Sequence, residues 1–116
     1  MMEKLRKRRD LSTTLYRILL YLSRKQKAES STRRMMRIER AVGVERKELK
    51  IHLDSLVQKE YVEPISSGEK GRGGHQIVHY DITETGKFLR SDIGRFIQLG
   101  IDMGYYPEQF FYLPSD

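Results

Sequence analysis

Residues 44–62 read Val-Glu-Arg-Lys-Glu-Leu-Lys-Ile-His-Leu-Asp-Ser-Leu-Val-Gln-Lys-Glu-Tyr-Val, and this stretch decides the fold. Apolar residues recur within it at i, i+4, i+7 and i+8, namely Leu49, Leu53, Leu56 and Val57. That spacing places them on one face of an α-helix, where they can pack into a core. The stretch therefore predicts an amphipathic helix whose other face is basic in its first two turns.

A shorter helix is predicted immediately before this one. Its start has hydroxyl side chains at 30–32 that can cap it, and Ile38 and Val42 lie on its inner face. Gly43 follows Val42, at the position where a glycine ends a helix in the left-handed conformation. The order is helix, glycine turn, helix, in which the second helix of many DNA-binding proteins enters the major groove.

Two β-like runs follow the second helix. They cover residues 61–65 and 77–82, and the Gly-rich basic segment 67–74 lies between them. This segment lacks the Gly-Lys-Ser/Thr ending of a P-loop and leads into a strand, so a phosphate-cradling loop of that type is not expected. The pattern predicts a hairpin with Lys70 and Arg72 at its tip.

Residues 30–90 resemble a winged helix-turn-helix domain of the broad class that includes MarR-like, ArsR-like and PadR-like regulators. The resemblance is carried by Ile38, Val42, Gly43 and Val44 in the first helix and turn, Leu49, His52, Leu53 and Leu56 in the second helix, and Tyr61, Val62, Tyr80, Ile82, Thr83 and Gly86 around the hairpin. It implies a mostly α fold with a small β wing (α+β), with an additional C-terminal helix. The chain departs from the family at the cap of the second helix, where Glu45 replaces the usual Ser or Thr.

The same resemblance implies a DNA-binding surface. The candidate contact residues are Arg46, Lys47, Lys50 and Ile51 in the recognition helix, Arg33 and Arg34 at the start of the preceding helix, and Lys70 and Arg72 at the wing tip. Arg46 is the first candidate for base recognition, because a guanidinium fork matches guanine O6 and N7. Ile51 can touch a thymine methyl or pack as core against the wing. Arg33 and Arg34 can contact phosphate or form an ordinary solvated face.

Composition fits one small domain with a polyanionic partner. The chain has 116 residues, 38% of them hydrophobic, and a formal net charge of +6. Residues 1–90 hold 21 of the 22 Lys and Arg, against 12 of the 16 acids. A positive field of this kind attracts phosphate whatever its sequence. The absence of Asn, together with many Lys, Arg and Glu, is typical of a thermophilic source.

Several function classes are not expected. The chain has no cysteine, so it has no disulfide framework and no thiolate site, which fits a cytoplasmic protein. His75 and His79 on one strand would lie about 13 Å apart, too far to share an ion. No Ser-His-Asp or paired-carboxylate pattern can be assigned. We therefore predict no enzyme, no cofactor, no metal, no secretory signal and no membrane span.

The two ends of the chain are assigned separately from the domain at 11–90. Residues 1–10 form a basic arm that either contacts DNA or is a solvated terminus. A helix predicted over 12–25 is apolar over much of its circumference, so it is either deeply buried or meets a second subunit. Residues 91–116 contain the end of the last helix and an aromatic tail at 105–114, which should pack on protein.

The last helix is predicted to begin at Thr83 as its cap. Its apolar and small-residue face consists of Phe88, Ile93, Phe96, Ile97, Gly100, Ile101 and Gly104. We predict a homodimer through the first and the C-terminal helices, with Gly100 and Gly104 permitting close approach. The alternative is that this helix folds back on the first helix of its own chain.

The sequence thus predicts sequence-specific binding of double-stranded DNA by a transcriptional regulator. Two alternatives stay open. The first is a DNA-organising or partition protein that reads little sequence. The second is a winged-helix module for protein–protein assembly, in which the wing or the recognition helix meets protein.

Overall fold

The computed structural model describes residues 11–108, without the side chain of Arg72. This part of the chain is a mixed α+β structure with four helices and one two-stranded antiparallel sheet. The elements are α1 (Leu11–Arg24), α2 (Met35–Val42), α3 (Arg46–Gln58), β1 (Val62–Lys70), β2 (Gln76–Ile82) and α4 (Glu84–Asp102). The predicted basic arm at 1–10 and the tail from residue 109 onward lie outside the described residues.

One apolar core joins the first three helices to the hairpin. Its most deeply buried members are Ile18, Leu19 and Leu22 of α1, Ile38 and Val42 of α2, Leu49 and Leu53 of α3, and Val62 of β1. The predicted apolar stripe of α3 is confirmed, because Leu49, Leu53 and Leu56 are all buried. Burial of such side chains stabilises the fold by about 1.5–3 kcal/mol each.

The turn between α2 and α3 has the predicted geometry. Gly43 adopts the left-handed conformation, with φ 77° and ψ 34°, and its N–H donates to Glu39 O at 2.9 Å. Glu45 caps α3 without a side-chain hydrogen bond, as its poor capping propensity leads one to expect. The two helices are therefore joined by a tight glycine turn, as the sequence indicated.

The start of α2 differs from the prediction. Residues Ser30–Arg33 form a 3₁₀ turn, and α2 begins only at Met35, without a side-chain cap. Arg34 lies between them in an extended conformation and pairs through an isolated β-bridge with His79 of β2. The predicted hydroxyl cap at 30–32 is thus wrong. The backbone of Arg34 pairs with the edge of the sheet, so the α-helix begins after it, at Met35.

The hairpin is longer than predicted. Val62 pairs with Ile82, and the regular register runs to Ser66 opposite Val78 before a bulge shifts it by the time Lys70 pairs with Gln76. The segment predicted to be a turn at 67–74 therefore belongs largely to β1. The true tip is a 3₁₀ turn over Arg72–Gly74.

Thr83 links the turn after α3 to the start of α4 by hydrogen bonds. Its hydroxyl accepts the N–H of Gly86 at 3.0 Å, which confirms the predicted cap, and donates to the carbonyl of Glu60 at 2.7 Å. Gly86 packs directly against this junction, since a Cβ there would lie 2.0 Å from the carbonyl oxygen of Tyr61. The second contact of Thr83 and the role of Gly86 were not apparent from sequence.

Helix α4 folds back on α1 of its own chain. Ile97 is fully buried, and Arg90 Nη1 donates to Ser23 Oγ at 2.7 Å. The predicted role of Gly100 and Gly104 in the close approach of two chains stays a prediction, but both glycines have a role within the described chain. Gly100 makes room for the ring of Tyr106, and Gly104 ends the helix with φ 81°.

The opposite face of α4 is left uncovered in the described chain. Its exposed large side chains are Phe88 (71%), Phe96 (55%), Leu99 (54%) and Met103 (60%). Single exposed hydrophobic residues are common on protein surfaces, whereas a group of them along one helix is a candidate interaction surface.

Candidate functional site

The outer face of α3 carries the side chains predicted to face DNA. Arg46, Lys47, Lys50 and Ile51 are all exposed. Lys47 and Ile51 lie opposite the buried leucine stripe and Lys50 flanks it, whereas Arg46 lies on the side of the stripe and is exposed because it begins the helix. Ile51 is 65% exposed, so the interpretation of Ile51 as core against the hairpin is wrong. Its neighbours one helical turn away are Lys47, Glu48, Asp54 and Ser55, so an apolar side chain is held in solvent among charged residues of both signs.

Two carboxylates flank this basic face. Arg46 Nη2 lies 3.4 Å from Glu39 Oε1 of α2, and Lys50 Nζ lies 3.2 Å from Asp54 Oδ2 one helical turn further on. Exposed pairs of this kind contribute about 0–1 kcal/mol each and exchange readily for other partners. Lys47 has no ion pair with any residue of the described chain.

The hairpin lies beside the same face of α3. The charges of Lys50 and Asp54 both act on Tyr80 of β2: burial raises the pKa of its phenol, Lys50 opposes this and Asp54 adds to it. Lys70 is exposed near the tip of the hairpin. Arg72 follows in the 3₁₀ turn, and its side chain lies outside the described groups. The basic helix face and the hairpin are therefore neighbours.

Arg33 does not lie on the surface. It is 5% exposed, and Nη1 donates to the carbonyls of Lys25 and Ala28, to the latter at 3.1 Å. Its Nε lies 3.9 Å from Asp81 Oδ1, a distance that allows ionic attraction but no hydrogen bond. The predicted phosphate contact by Arg33 is thus wrong, because its guanidinium group is buried. It bonds to carbonyls of the connector between α1 and α2 and lies near Asp81 of β2.

Arg34 is partly buried at the same junction. Its Nε is buried with no hydrogen-bond partner within the described chain, while its backbone pairs with His79. His79 lies among charged groups: burial lowers its pKa, Arg33 and Arg34 lower it further, and Asp81 opposes them. The contact of Arg34 with phosphate stays a prediction.

Two further arginines belong to the exposed basic surface. Arg37 and Arg40 lie on α2, are exposed, and have no ion pair or hydrogen bond with a side chain of the described chain. They were not among the DNA contacts predicted from the sequence. Their spacing of i, i+3, which makes them neighbours on a helix, was the signal that could have singled them out.

A second site of another character lies at the end of α4. It is an apolar hollow of about 270 Å³, lined by Phe96, Leu99, Gly100, Met103, Tyr105 and Tyr106. The rings of Phe96 and Tyr106 meet edge to face, with 6.4 Å between their centroids. The hollow continues the exposed apolar face of the helix.

Within residues 11–108, no three His, Asp or Glu side chains come together in a group that could hold a metal ion. No helix in that range combines the length and apolarity that a membrane crossing requires. The described fold places the hairpin beside α3, whereas Arg37 and Arg40 of α2 lie with Tyr21 of α1 on another side of α2 from Glu39, the partner of Arg46. Comparison of the chain with known proteins finds no matching family model, no similar curated protein and no similar solved structure.

Proposed function

We propose that this chain is a winged helix-turn-helix protein that binds double-stranded DNA with sequence preference and acts as a transcriptional regulator. The observation that supports the proposal is the exposed surface of α3, where Arg46 lies in the first turn and Lys47, Lys50 and Ile51 lie away from the buried leucine stripe. An α-helix with its side chains is about 10–12 Å across, which matches the roughly 12 Å width of the major groove, and the 13 residues of α3 make it about 20 Å long.

The roles of the residues follow from their chemistry. Arg46, in the first turn of α3, reads a guanine through its fork, and Ile51 touches a thymine methyl. Lys47 and Lys50 bind phosphate or base edges as point charges. Lys70 at the hairpin reaches flanking phosphates, and Arg72 has the same role on the strength of its position in sequence.

The proposed regulator is a homodimer that pairs through α4. The uncovered face of this helix carries four large apolar side chains and one ion pair, Asp92–Arg95, and residues 91–116 carry one basic residue against four acids, so DNA is a poor partner for it. A second copy of the chain offers the same apolar face, as a twofold interface requires. Such a dimer presents two α3 helices to one duplex, which is how helix-turn-helix dimers read paired half-sites.

The first experiment measures binding of the purified protein to a random duplex and to the DNA upstream of its own gene, at several salt concentrations. A site-specific regulator binds one sequence more tightly and with less sensitivity to salt. Equal binding with a steep salt dependence would instead identify a DNA-organising protein. No binding at low salt would exclude the proposal and leave the protein-assembly alternative.

The substitution Arg46→Lys tests whether Arg46 recognises a base through its guanidinium fork or contributes only positive charge. The substitution keeps the positive charge, so the salt dependence of binding should not change, but it removes the fork. We expect loss of preference at one base pair, by roughly 1–3 kcal/mol. Lys59→Arg, at the far end of the helix, is the control and should leave preference intact. Unchanged preference in Arg46→Lys would contradict the assigned role.

A further inference from the structure

A small hollow lies between α1 and α2, on the side of α2 where Arg37 and Arg40 project. Its volume is about 100 Å³, and it is lined by Tyr21, Arg37, Arg40 and Ala41. Tyr21 and Ala41 are buried and form its floor, whereas the two arginines are exposed and flank it. The hollow is thus a shallow pocket with a rigid base and two guanidinium groups at its rim.

The charges around this hollow are all positive. No acidic residue lines it, and Glu39, the acid between the two arginines in sequence, pairs with Arg46 on another side of α2. Neither Arg37 nor Arg40 has an anionic partner within the described chain. The lining therefore has an excess positive charge that the described residues do not neutralise.

Tyr21 connects the hollow to a third arginine. Its hydroxyl donates to the carbonyl of Thr32 at 2.7 Å, which fixes the ring and uses its only hydrogen, so Tyr21 shapes the hollow and the two arginines supply the donors. Burial raises the pKa of this phenol, and the charges of Arg37 and of the buried Arg33 oppose that effect. The charges of Arg37, which lines the hollow, and of Arg33, which is buried, therefore both act on Tyr21.

We propose that the hollow lined by Tyr21, Arg37 and Arg40 is a phosphate-binding site. Each guanidinium group offers paired N–H donors that match the oxygens of a phosphate. Residues three apart on a helix have Cβ atoms about 5–6 Å apart, so both arginines can grip one group. A charge excess of this size favours a phosphate over a singly charged carboxylate.

The phosphate has two possible sources with the same chemistry. It can belong to the DNA backbone, in which case the site widens the contact beyond α3 and the hairpin. It can also belong to a free phosphorylated small molecule, in which case the site lies apart from DNA binding. The direct test does not depend on DNA, so it stands even if the proposed function fails.

The direct test titrates the protein with inorganic phosphate at constant ionic strength and follows the arginine Nε–H signals by NMR. We expect saturable shifts at Arg37 and Arg40, and roughly tenfold or greater weakening in the double variant Arg37→Gln/Arg40→Gln. The control Lys59→Gln/Arg95→Gln removes the same charge from exposed positions outside the hollow and should bind like the wild type. Circular dichroism checks that each variant is folded.

A second arm repeats the comparison with duplex DNA. If the site holds a backbone phosphate, the double variant should reduce the slope of log K against log salt concentration by about 1–2, because one or two phosphate contacts are lost. The control should not change this slope. If the phosphate is free, DNA binding stays unchanged while inorganic phosphate still distinguishes variant from control. Either result supports the site. Equal behaviour of variant and control in both arms would overturn it.

Discussion

Gly86 has no space for a side chain. A Cβ at this position would lie 2.0 Å from the carbonyl oxygen of Tyr61, far inside any real contact, and 2.8 Å from a side-chain carbon of Ile82. Backbone atoms cannot swing away as a flexible side chain can. The start of α4 and the turn between α3 and β1 are therefore in contact at Gly86. This contact requires the absence of a side chain at Gly86 and not the conformational freedom of glycine.

We predict that Gly86→Ala lowers the free energy of unfolding by at least about 2 kcal/mol, because the junction must move apart to admit the methyl group. Urea denaturation followed by circular dichroism measures the change. The control is Thr85→Ala, at an exposed neighbour in the same helix, which should change stability by less than about 0.5 kcal/mol. A Gly86→Ala protein as stable as this control would contradict the close contact.

His79 makes stability depend on pH. Burial and the charges of Arg33 and Arg34 lower its pKa in the folded chain from the usual 6.5. A histidine with a lowered folded-state pKa takes up its proton more readily in the unfolded chain, so protons favour unfolding. This penalty is absent well above pH 6.5, grows as pH falls through that value, and levels off below the folded-state pKa.

We predict that the melting temperature of the wild type falls more between about pH 7.5 and about pH 5 than that of His79→Gln. The substitution keeps a polar side chain beside Asp81 but cannot take up the proton. Thermal melts across this range measure the difference, with His75→Gln, at an exposed histidine near the hairpin tip, as the control. Parallel pH profiles for wild type and His79→Gln would contradict the assignment.

At the scale of elements, α3 ends in a strained turn. The N–H of Tyr61 donates to Leu56 O at 2.9 Å and that of Glu60 to Val57 O at 3.0 Å, the two hydrogen bonds of a Schellman ending. Glu60 must adopt φ 66° for this, a left-handed conformation that costs a residue with a side chain about 1–2 kcal/mol. Helix α4 ends in the same way but places Gly104 at the equivalent position.

We predict that Glu60→Gly raises the free energy of unfolding by about 0.5–1 kcal/mol, since it removes the side-chain strain and keeps both backbone bonds. Lys59→Gly is the matched control, because Lys59 has φ −90° and gains nothing from glycine. Chemical denaturation of the two variants side by side gives the comparison. A Glu60→Gly protein no more stable than Lys59→Gly would show that the strain is relieved elsewhere.

At the scale of the whole molecule, the two faces of α4 have different surroundings. One face buries Ile97 against α1, whereas the other leaves Phe96 and its neighbours exposed beside the apolar hollow. We have proposed that a second copy of the chain covers this second face. The basic face of α3 and the apolar face of α4 would then serve DNA and partner separately.

We predict that Phe96→Asp converts the dimer to a monomer, because a carboxylate would be buried in the apolar interface without a partner. Light scattering coupled to size-exclusion chromatography measures the mass. Met36→Asp is the matched control, since Met36 on α2 is equally exposed at 55% but lies on another helix. The same mass for wild type, Phe96→Asp and the control would argue against dimerisation through this face.

The sequence by itself determined what depends on local periodicity and backbone chemistry. The apolar stripe of α3, the left-handed Gly43 and the cap at Thr83 were all predicted and are confirmed. Each is written in a few consecutive residues, since spacing sets which side chains share a face and only certain residues suit a turn or cap.

Only the tertiary structure decided which surface each residue meets. Arg33 and Arg34 are adjacent and alike in sequence, yet the guanidinium of Arg33 is buried against backbone carbonyls and the backbone of Arg34 joins the edge of the sheet. Gly86 and Gly100 look like ordinary small residues until Tyr61 and Tyr106 are placed against them. Such roles depend on contacts between segments that are distant in sequence. A local sequence pattern does not specify which distant residue will contact it in the folded chain.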